Sequence, residues 1–332
     1  MGKGMLMNKR VTIQEVADQA GVSKTTVSRY LNKKYHKMSP ATKKRIKSVI
    51  EDLGYRPSRQ AQALKSKRSY LIGVVIADIS NMYASLLLKG MSQVFNQAKW
   101  QMIILDSLGE VNLERQYLER LIDQNVDGII LQPAAITSQN YQFIEELQLP
   151  LILADRKTYP SKWLTIGTDN EAVITQLFAQ INLADYQAFV VVSEVLAPVS
   201  TRQDRYQAVV AACDPDPVQL IEVGQAHWQE AILDLAGQRK TLFFCNNGRV
   251  MIEVLRILKQ GQFQVPQEVG VTGFDDWHMT DMIGPGITSI EQPTEKIGAA
   301  LATNLLQAIQ AEQELEPGYQ AIPSHISLRS SL

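Results

Sequence analysis

The chain is poor in the residues on which most enzymes and most secreted scaffolds depend. Of its 332 residues only 2 are Cys and 4 are His. Cys213 and Cys245 are too few and too far apart to make a disulfide framework. Each follows apolar neighbours, which reads as two buried free thiols in a reducing compartment. His36, His227, His278 and His325 are scattered and show no metal-ligand spacing. No HExxH, GxGxxG, Walker A, GxSxG or CxxC occurs. Asp275-Asp276 is an acid pair by adjacency alone, and side chains of neighbouring residues usually point apart. The expectation is therefore no catalytic residue, no metal ligand and no cofactor. No run of 18 apolar residues is present, which excludes an ordinary membrane-spanning helix. The opening stretch MGKGMLMNKR lacks the apolar region of a secretory signal.

Acidic residues are almost missing from one end. Residues 1–70 carry 17 Lys and Arg against 4 Asp and Glu, a balance of +13, whereas the remainder carries 16 against 30, a balance of −14. The net charge of −1 thus conceals a basic head on an acidic body. A head of this kind is the electrostatic footprint of nucleic-acid binding. The acidic body is repelled by the same polyanion and so helps to orient the head.

The head also has the right pattern of helices. Thr12-Ile13-Gln14-Glu15 reads as a capping box, followed by an apolar stripe of Ile13, Val16, Ala17 and Ala20. Gly21 suits the left-handed residue after a helix end, and Ser23 caps a second helix that buries Val27 and Leu31. Ser39-Pro40 starts a third helix, whose Ile46, Val49, Ile50 and Leu53 face back before Gly54 ends it. Three short helices over a small core fit any small helical domain. The basic charge favours a helix-turn-helix unit that reads DNA. The exposed face of the second helix presents Lys24, Thr25, Thr26, Ser28 and Arg29. Its N-terminal Lys24 and Thr25 reach base edges, with Arg29 one turn on and suited to bidentate contact with a guanine. Thr12, Ser23, Asn32 and Tyr55 are better placed for phosphates. Ser23 is a plain helix cap and a phosphate ligand at once. Ser58-Arg59-Gln60-Ala61-Gln62-Ala63-Leu64 is too short to be a stable helix alone. A lone exposed Leu is usually unremarkable. Beside a DNA-binding head, Leu64 is fit to wedge between base steps in a minor groove.

From residue 70 onward short apolar runs alternate with amphipathic stretches. The runs at 71–77, 102–105, 128–131 and 151–154 predict strands separated by helices at 83–97, 112–125 and 139–147. A second series has strands at 189–193, 220–223, 242–245 and 269–273, with helices near 202–213, 228–236 and 249–260. This is βαβ order, hence two doubly wound parallel units joined near 155–169. A last helix at 294–312 returns to the first unit. Ligands in such sheets lie beyond the carboxyl ends of the strands. Those ends carry Asp78-Ile79-Ser80-Asn81, Asp106-Ser107, Gln132, Asp155-Arg156, Ser193-Glu194, Asn246-Asn247 and Asp275-Asp276. The expectation is that all of them deliver polar groups into one cleft, only the end after Val223 being bare. Polar loops are common, but so consistent a run of carboxylates and amides suits a polyhydroxylated ligand. Tyr83, Trp228 and Trp277 are candidate platforms for a sugar ring, or simply packing residues. Arg156 with Arg205 or Arg202 would hold a carboxylate or phosphate; the rival reading pairs Arg156 with a cleft acid.

The stretches VTIQEVADQAGVSKTTVSRYLN, ATKKRIKSVIEDLGYRPSRQAQALKSKRS, LIGVVIADISNMY, DGIILQP, FFCNNGRV and VTGFDDW resemble the lactose-repressor (LacI/GalR) family of bacterial transcription factors. The likeness runs from about Val11 to about Leu328. It implies an all-α helix-turn-helix head on an α/β core of two doubly wound subdomains like those of periplasmic binding proteins. The head would cover residues 8–57 and a hinge helix with linker 58–69. The core, 70–332, would divide into an N-terminal subdomain (70–166 and 293–320) and a C-terminal one (167–292 and 321–332). The resemblance further implies a cytoplasmic, nucleoid-associated homodimer on palindromic operator DNA, controlled by a small effector. Carried over by position, Lys24, Thr25 and Arg29 read bases and Leu64 is the minor-groove lever. The full DNA-facing set is Thr12, Ser23, Lys24, Thr25, Thr26, Arg29, Asn32, Tyr55, Ser58, Arg59, Ala61 and Leu64. Effector contacts fall on Asn81, Tyr83, Gln132, Asp155, Arg205, Asn246 and Asp275, to which Arg156 is added from its place in the cleft.

The chain departs from the family pattern in three places. Ala208 and Val209 stand where Gly and an aromatic are usual, which makes Arg202 a rival for the role of Arg205. Ala77 and Met82 stand where Pro is frequent. The segment Tyr30 to Ser39 is longer than in some members. The effector class therefore stays open among sugar, sugar acid and sugar phosphate. No leucine heptads follow Leu328, so the expected assembly is a dimer. Two alternatives remain beside an operator-binding regulator: a soluble sugar-binding protein without operator function, and a regulator that uses a protein corepressor. A hydrolase or kinase acting in the cleft lacks catalytic groups.

Overall fold

The computed structural model describes residues 11–56, 68–275, 277 and 279–332. The chain divides into two compact units, residues 1–69 and 70–332. In the first unit α1 (Ile13–Gln19), α2 (Lys24–Leu31) and α3 (Pro40–Leu53) enclose Val16, Ala17, Ala20, Val27, Ile46 and Val49. Leu31, Ile50 and Leu53 are only partly buried and pack at its margin. The predicted caps are all present. Thr12 N–H donates to Glu15 Oε2 at 2.6 Å and Glu15 N–H donates to Thr12 Oγ1 at 3.3 Å. Ser23 and Ser39 accept from Thr26 N and Thr42 N. Gly21 and Gly54 sit at φ +58° and +59°, where a side chain would strain the turn.

The second unit comprises two lobes, each a six-stranded sheet with helices on both faces. Lobe 1 begins with β1 (Leu71–Ile76), α4 (Met82–Ala98), β2 (Gln101–Asp106), α5 (Val111–Asp123) and β3 (Gly128–Leu131). It continues with α6 (Gln142–Glu146), β4 (Leu151–Ala154) and β5 (Leu164–Thr168). Lobe 2 holds α7 (Asn170–Phe178), β6 (Ala188–Ser193), α8 (Ser200–Cys213), β7 (Val218–Glu222) and α9 (Trp228–Gln238). It is completed by β8 (Thr241–Cys245), α10 (Gly248–Gln260), β9 (Val269–Phe274) and β10 (Thr288–Glu291). The chain then returns to lobe 1 for α11 (Thr294–Ala311) and β11 (Gly318–Ile322), and ends in lobe 2 with β12 (His325–Ser327). The sheet orders are β11-β5-β4-β3-β1-β2 and β12-β10-β9-β8-β6-β7. Every pairing is parallel except that of β10 with β12.

Interior strands such as β1, β3 and β4 are apolar along their length because helices cover both faces. In lobe 1, Leu87, Met91 and Phe95 of α4 meet Leu301 and Leu305 of α11 over one face. Leu118 and Leu121 of α5 cover the other. The α4–α11 crossing is close. A Cβ at Gly90 would lie 2.0 Å from the Glu295 carbonyl oxygen, and one at Gly298 would lie 2.1 Å from that of Leu87.

Four strands escape the sequence pattern. β5 lies within the 155–169 segment expected to be a joint, and β10, β11 and β12 lie beyond the last expected strand. β10 is Thr288-Ser289-Ile290-Glu291, with both hydroxyl residues fully buried. The C-terminal segment satisfies them: Thr288 Oγ1 donates to the Arg329 carbonyl at 3.0 Å, and Arg329 Nη1 donates to Ser289 Oγ at 3.0 Å. The chain crosses between lobes after β5, after β10 and after β11. β5 and β11 extend to Thr168 and Ile322, each two residues beyond the 166 and 320 expected from sequence.

Candidate functional site

Two surfaces carry the residues singled out by the sequence. On the head, Lys24, Thr25 and Arg29 all project from α2 and are exposed. Thr12 and Asn32 are also exposed, while Thr26 and Tyr55 are half-buried. Thr26 Oγ1 lies 2.9 Å from Ser23 Oγ, and Asn32 Nδ2 donates to the Ser28 carbonyl at 2.7 Å. These bonds fix the two ends of α2. In the segment beyond α2, Lys43 Nζ lies 3.9 Å from the centre of the Tyr35 ring, itself edge-on to Tyr30. Ser58, Arg59, Ala61 and Leu64 fall outside the described residues.

The second surface is a cleft between the two lobes, at the carboxyl ends of their strands. It is lined by Asn81, Tyr83, Gln132, Asp155, Arg156, Arg205, Asn246 and Asp275 together with Glu194, Val199, Thr201, Arg202, Asn247 and Gln292. Its free volume is about 60 Å³. That is well under the roughly 150 Å³ that accommodates a benzene ring.

Each lining residue is held by the local fold. Asn81 caps α4, accepting from Tyr83 N–H at 3.0 Å. Gln132, just past β3, accepts from Ala77 N–H at 3.2 Å and donates to Asp155 Oδ2 at 3.4 Å. Asp155 and Asp275 end β4 and β9 in the left-handed region, at φ +66° and +72°. Arg205 is 6 % exposed and organises the floor of the cleft. Its Nε donates to Asn170 Oδ1 at 2.7 Å, its Nη1 to the Asn246 carbonyl at 2.7 Å and its Nη2 to Gln292 Oε1 at 2.9 Å. Its guanidinium also lies 3.6 Å from the centre of the Phe274 ring. Asp275 accepts from Gly248 N–H and from Gln292 Nε2. Burial raises its pKa, although Arg205 and those donors act the other way.

Four buried polar atoms lining the cleft have no hydrogen-bond partner: Tyr83 OH, Asp155 Oδ1, Arg156 Nε and Asn246 Oδ1. An unpaired buried polar group costs about 1–3 kcal/mol. Four such atoms around one small space indicate a site built for a ligand that both donates and accepts.

Several expectations need correction. Asp78 pairs with Arg249 and does not line the cleft, because Arg249 draws it to the rim. Asp106 accepts from Ile79 N–H of the β1–α4 loop and from Leu108 N–H of its own, and so ties two loops together. Ser107 and Ser193 are fully buried, one donating to the Ile76 carbonyl and the other accepting from Asn246 Nδ2. Trp228 packs on the apolar core of lobe 2, and Trp277 stacks close to Gly248. Of the three candidate platforms only Tyr83 reaches the cleft. Asp276 lies outside the described residues. Both arginines of α8 line the cleft, each with its own partners. Arg202 pairs with Glu194 and donates to the Val195 carbonyl, whereas Arg205 occupies the floor. Arg156 forms no ion pair with Asp155; its Nη1 donates to the Pro133 carbonyl at 3.2 Å.

Among the described residues no group of three His, Cys, Asp or Glu side chains is disposed to hold a metal. Nor is any helix long and apolar enough to cross a membrane. Cys213 and Cys245 are both buried free thiols, as read from the sequence.

Comparison with known proteins places both units. Residues 12–58 match the family described as bacterial regulatory proteins, lacI family, and residues 185–332 match the periplasmic binding protein-like domain. The HTH-type transcriptional regulator KdgR of Bacillus subtilis (strain 168) is 31 % identical over 331 residues, covering 97 % of each chain. The HTH-type transcriptional regulator PtxS of Pseudomonas plecoglossicida is 36 % identical over 312 residues, covering 92 % of this chain and 91 % of that one. The fold matches the crystal structure of the Lac repressor dimer bound to operator and the anti-inducer ONPF, with a TM-score of 0.84 at 21 % identity over 97 % of this chain and 99 % of that one. A transcriptional regulator CelR–cellobiose complex matches with a TM-score of 0.68 at 23 % identity, over 97 % of this chain and the whole of that chain.

Proposed function

The chain belongs to the lacI family of bacterial regulatory proteins, and from that premise we propose that it is a repressor whose grip on a palindromic operator is set by a sugar-like effector in the cleft. It is an HTH-type transcriptional regulator, with DNA-binding and effector-sensing tasks assigned to separate parts of the chain. The observation that carries the effector half is the set of four unpartnered atoms, Tyr83 OH, Asp155 Oδ1, Arg156 Nε and Asn246 Oδ1. Two are acceptors without a hydrogen, one is a donor only, and the phenol is both. A polyhydroxylated ligand supplies both kinds of group from adjacent hydroxyls. Arg156 adds affinity for a carboxylate or phosphate substituent, which keeps sugar acids and sugar phosphates in the class.

In this reading Lys24, Thr25 and Arg29 contact base edges in the major groove, and Thr12, Ser23, Thr26, Asn32 and Tyr55 set the register on phosphates. Ser58, Arg59, Ala61 and Leu64 form the hinge, with Leu64 as the minor-groove wedge. Two copies present two heads to the two half-sites. Support for a second copy comes from exposed apolar side chains of lobe 1 after β1 and on and after the edge strand β2: Ile79, Met82, Ile104, Leu108 and Val111. Leu220 on the edge strand of lobe 2, with Met282 elsewhere on that lobe, adds to it. The acting form works in the cytoplasm, on the nucleoid.

A thermal-shift screen of the purified chain against sugars, sugar acids and sugar phosphates tests the effector class. The expected result is a rise in Tm confined to polyhydroxylated compounds and lost in Arg205→Ala. A flat response across all three classes contradicts the reading, and a response confined to a protein corepressor supports the alternative.

A further inference from the structure

Four polar links bridge the two lobes beside the cleft. On one side Arg249, near the start of α10 in lobe 2, donates from Nη2 to Asp78 Oδ2 at 2.8 Å and to Ser80 Oγ at 3.0 Å, both in the β1–α4 loop of lobe 1. On the other side Lys157, just after β4 in lobe 1, pairs with Asp204 of α8 in lobe 2 at 2.6 Å, and its N–H donates to Ser200 Oγ at 2.7 Å. Ion pairs elsewhere, such as Lys89–Glu295 and Lys162–Glu145, stay within lobe 1. We propose that Arg249–Asp78 and Lys157–Asp204 are paired latches that hold the two lobes closed and set the effector affinity of the cleft through the closed fraction.

Geometry connects the first latch to the cleft itself. Arg249 Nη1 lies 3.6 Å from Glu194 Oε1. Glu194 lines the cleft, where it pairs with Arg202 and accepts from Asn247 Nδ2 at 3.2 Å. Arg249 therefore stands between an acid of lobe 1 and an acid that faces the ligand space. A ligand hydroxyl donating to Glu194 satisfies that carboxylate and leaves Arg249 to Asp78, tightening the latch. This last step rests on the cleft being an effector site; the latching does not.

The strength of the links suits a switch. The Arg249 and Asp78 side chains are 44 % and 37 % exposed, and those of Lys157 and Asp204 are 29 % and 26 % exposed. Ion pairs exposed to this degree shift an equilibrium by about two- to fivefold each. Two such latches bias the core toward closure without locking it. The free volume of about 60 Å³ requires that bias to be reversible, since a monosaccharide enters only when the lobes part.

Pulsed electron-resonance distances test the proposal with no ligand present. Gln142 on α6 and Glu230 on α9 are exposed, one on each lobe, and are replaced by Cys and spin-labelled in the full chain. The native Cys213 and Cys245 are buried, and dilution into unlabelled protein removes distances between copies. The expected result is a narrow distance distribution that shifts several-fold toward an open population in Asp78→Asn combined with Asp204→Asn. Each single change should give a smaller shift. Glu295→Gln, which breaks a bridge inside lobe 1, should leave the distribution unchanged. Raising NaCl from about 0.05 to about 1 M in the otherwise unaltered chain should reproduce the opening by screening, so the test survives a double variant that folds poorly. A distribution indifferent to both salt and the double substitution overturns the latches. An effector screen that fails while these shifts appear would count against the effector reading alone.

Discussion

Arg205 shows how much one side chain does in this cleft. It ties the Asn246 carbonyl, Asn170 and Gln292 together, and Gln292 in turn contacts Thr168 and Asp275. Thr168 and Gln292 sit at two of the crossovers between lobes, so the floor of the cleft and the hinge of the core share one network. Replacing Arg205 with Ala should abolish the effector response in an operator-binding assay while leaving ligand-free operator affinity within about twofold. Equal losses of both would mean that Arg205 is only structural. Glu114 makes a different point. It is 1 % exposed and accepts from Ala134 N–H and Tyr141 OH, both at 2.7 Å. Burial pushes its pKa from 4.5 up to about 7, against the opposing pull of those two donors and of Arg156. The folded state therefore binds more protons than the unfolded state between about pH 4.5 and 7, and stability falls as pH rises through that window. The loss is of the order of 3 kcal/mol. Urea unfolding at pH 5 and pH 8 should show this decline in the native chain and a flatter profile in Glu114→Gln. Identical profiles would contradict it. At this scale Tyr83, Gln132, Asp155, Arg205, Asn246 and Asp275 were legible because each follows a strand or sits in a recognisable stretch. Gln292 was not, since the strand before it, Thr288–Glu291, carries two buried hydroxyls and no apolar run.

Elements were legible to the extent that their burial is uniform. β3 and β4 are buried along their whole length, and their sequences are continuous apolar runs. β7 and β11 are largely exposed edge strands. The ends of β7 were misplaced, and β11 was missed altogether because its surface carries no alternating apolar face. β12 is three residues long and pairs antiparallel with β10, so only the fold reveals it. The α4–α11 contact depends on glycines that no periodicity signals. At Gly298 an added Cβ would meet the Leu87 carbonyl oxygen at 2.1 Å, a rigid backbone atom. Gly298→Ala should therefore force the two helices apart and cost about 1–3 kcal/mol of core stability. Denaturant unfolding measures it, and an unchanged midpoint would show that the helix pair yields at no cost.

On the scale of the whole molecule, charge separates the two jobs. The first 70 residues carry the positive excess, while the cleft is lined wholly by residues of the acidic remainder. A monomer offers one head, and a single short recognition helix gives little discrimination among genomic sites. Two heads on a palindrome multiply it. Multi-angle light scattering at micromolar concentration should give twice the chain mass of 37.1 kDa. A stable monomer would leave the apolar surface of Ile79, Met82, Leu108 and Val111 unexplained, and a tetramer would require a further interface.

The central claim is that occupancy of a cleft in the acidic core tunes the grip of the basic head on one DNA sequence. The direct measurement is selection of binding sites from sheared genomic DNA by the full chain, followed by titration of the recovered site with and without the compound that raises Tm most. The account predicts a two-fold symmetric site bound at least about a thousandfold more tightly than random duplex, and an affinity that the compound changes by about 5- to 150-fold. Recovery of no preferred site, or of a preferred site whose affinity no cleft ligand alters, would contradict it.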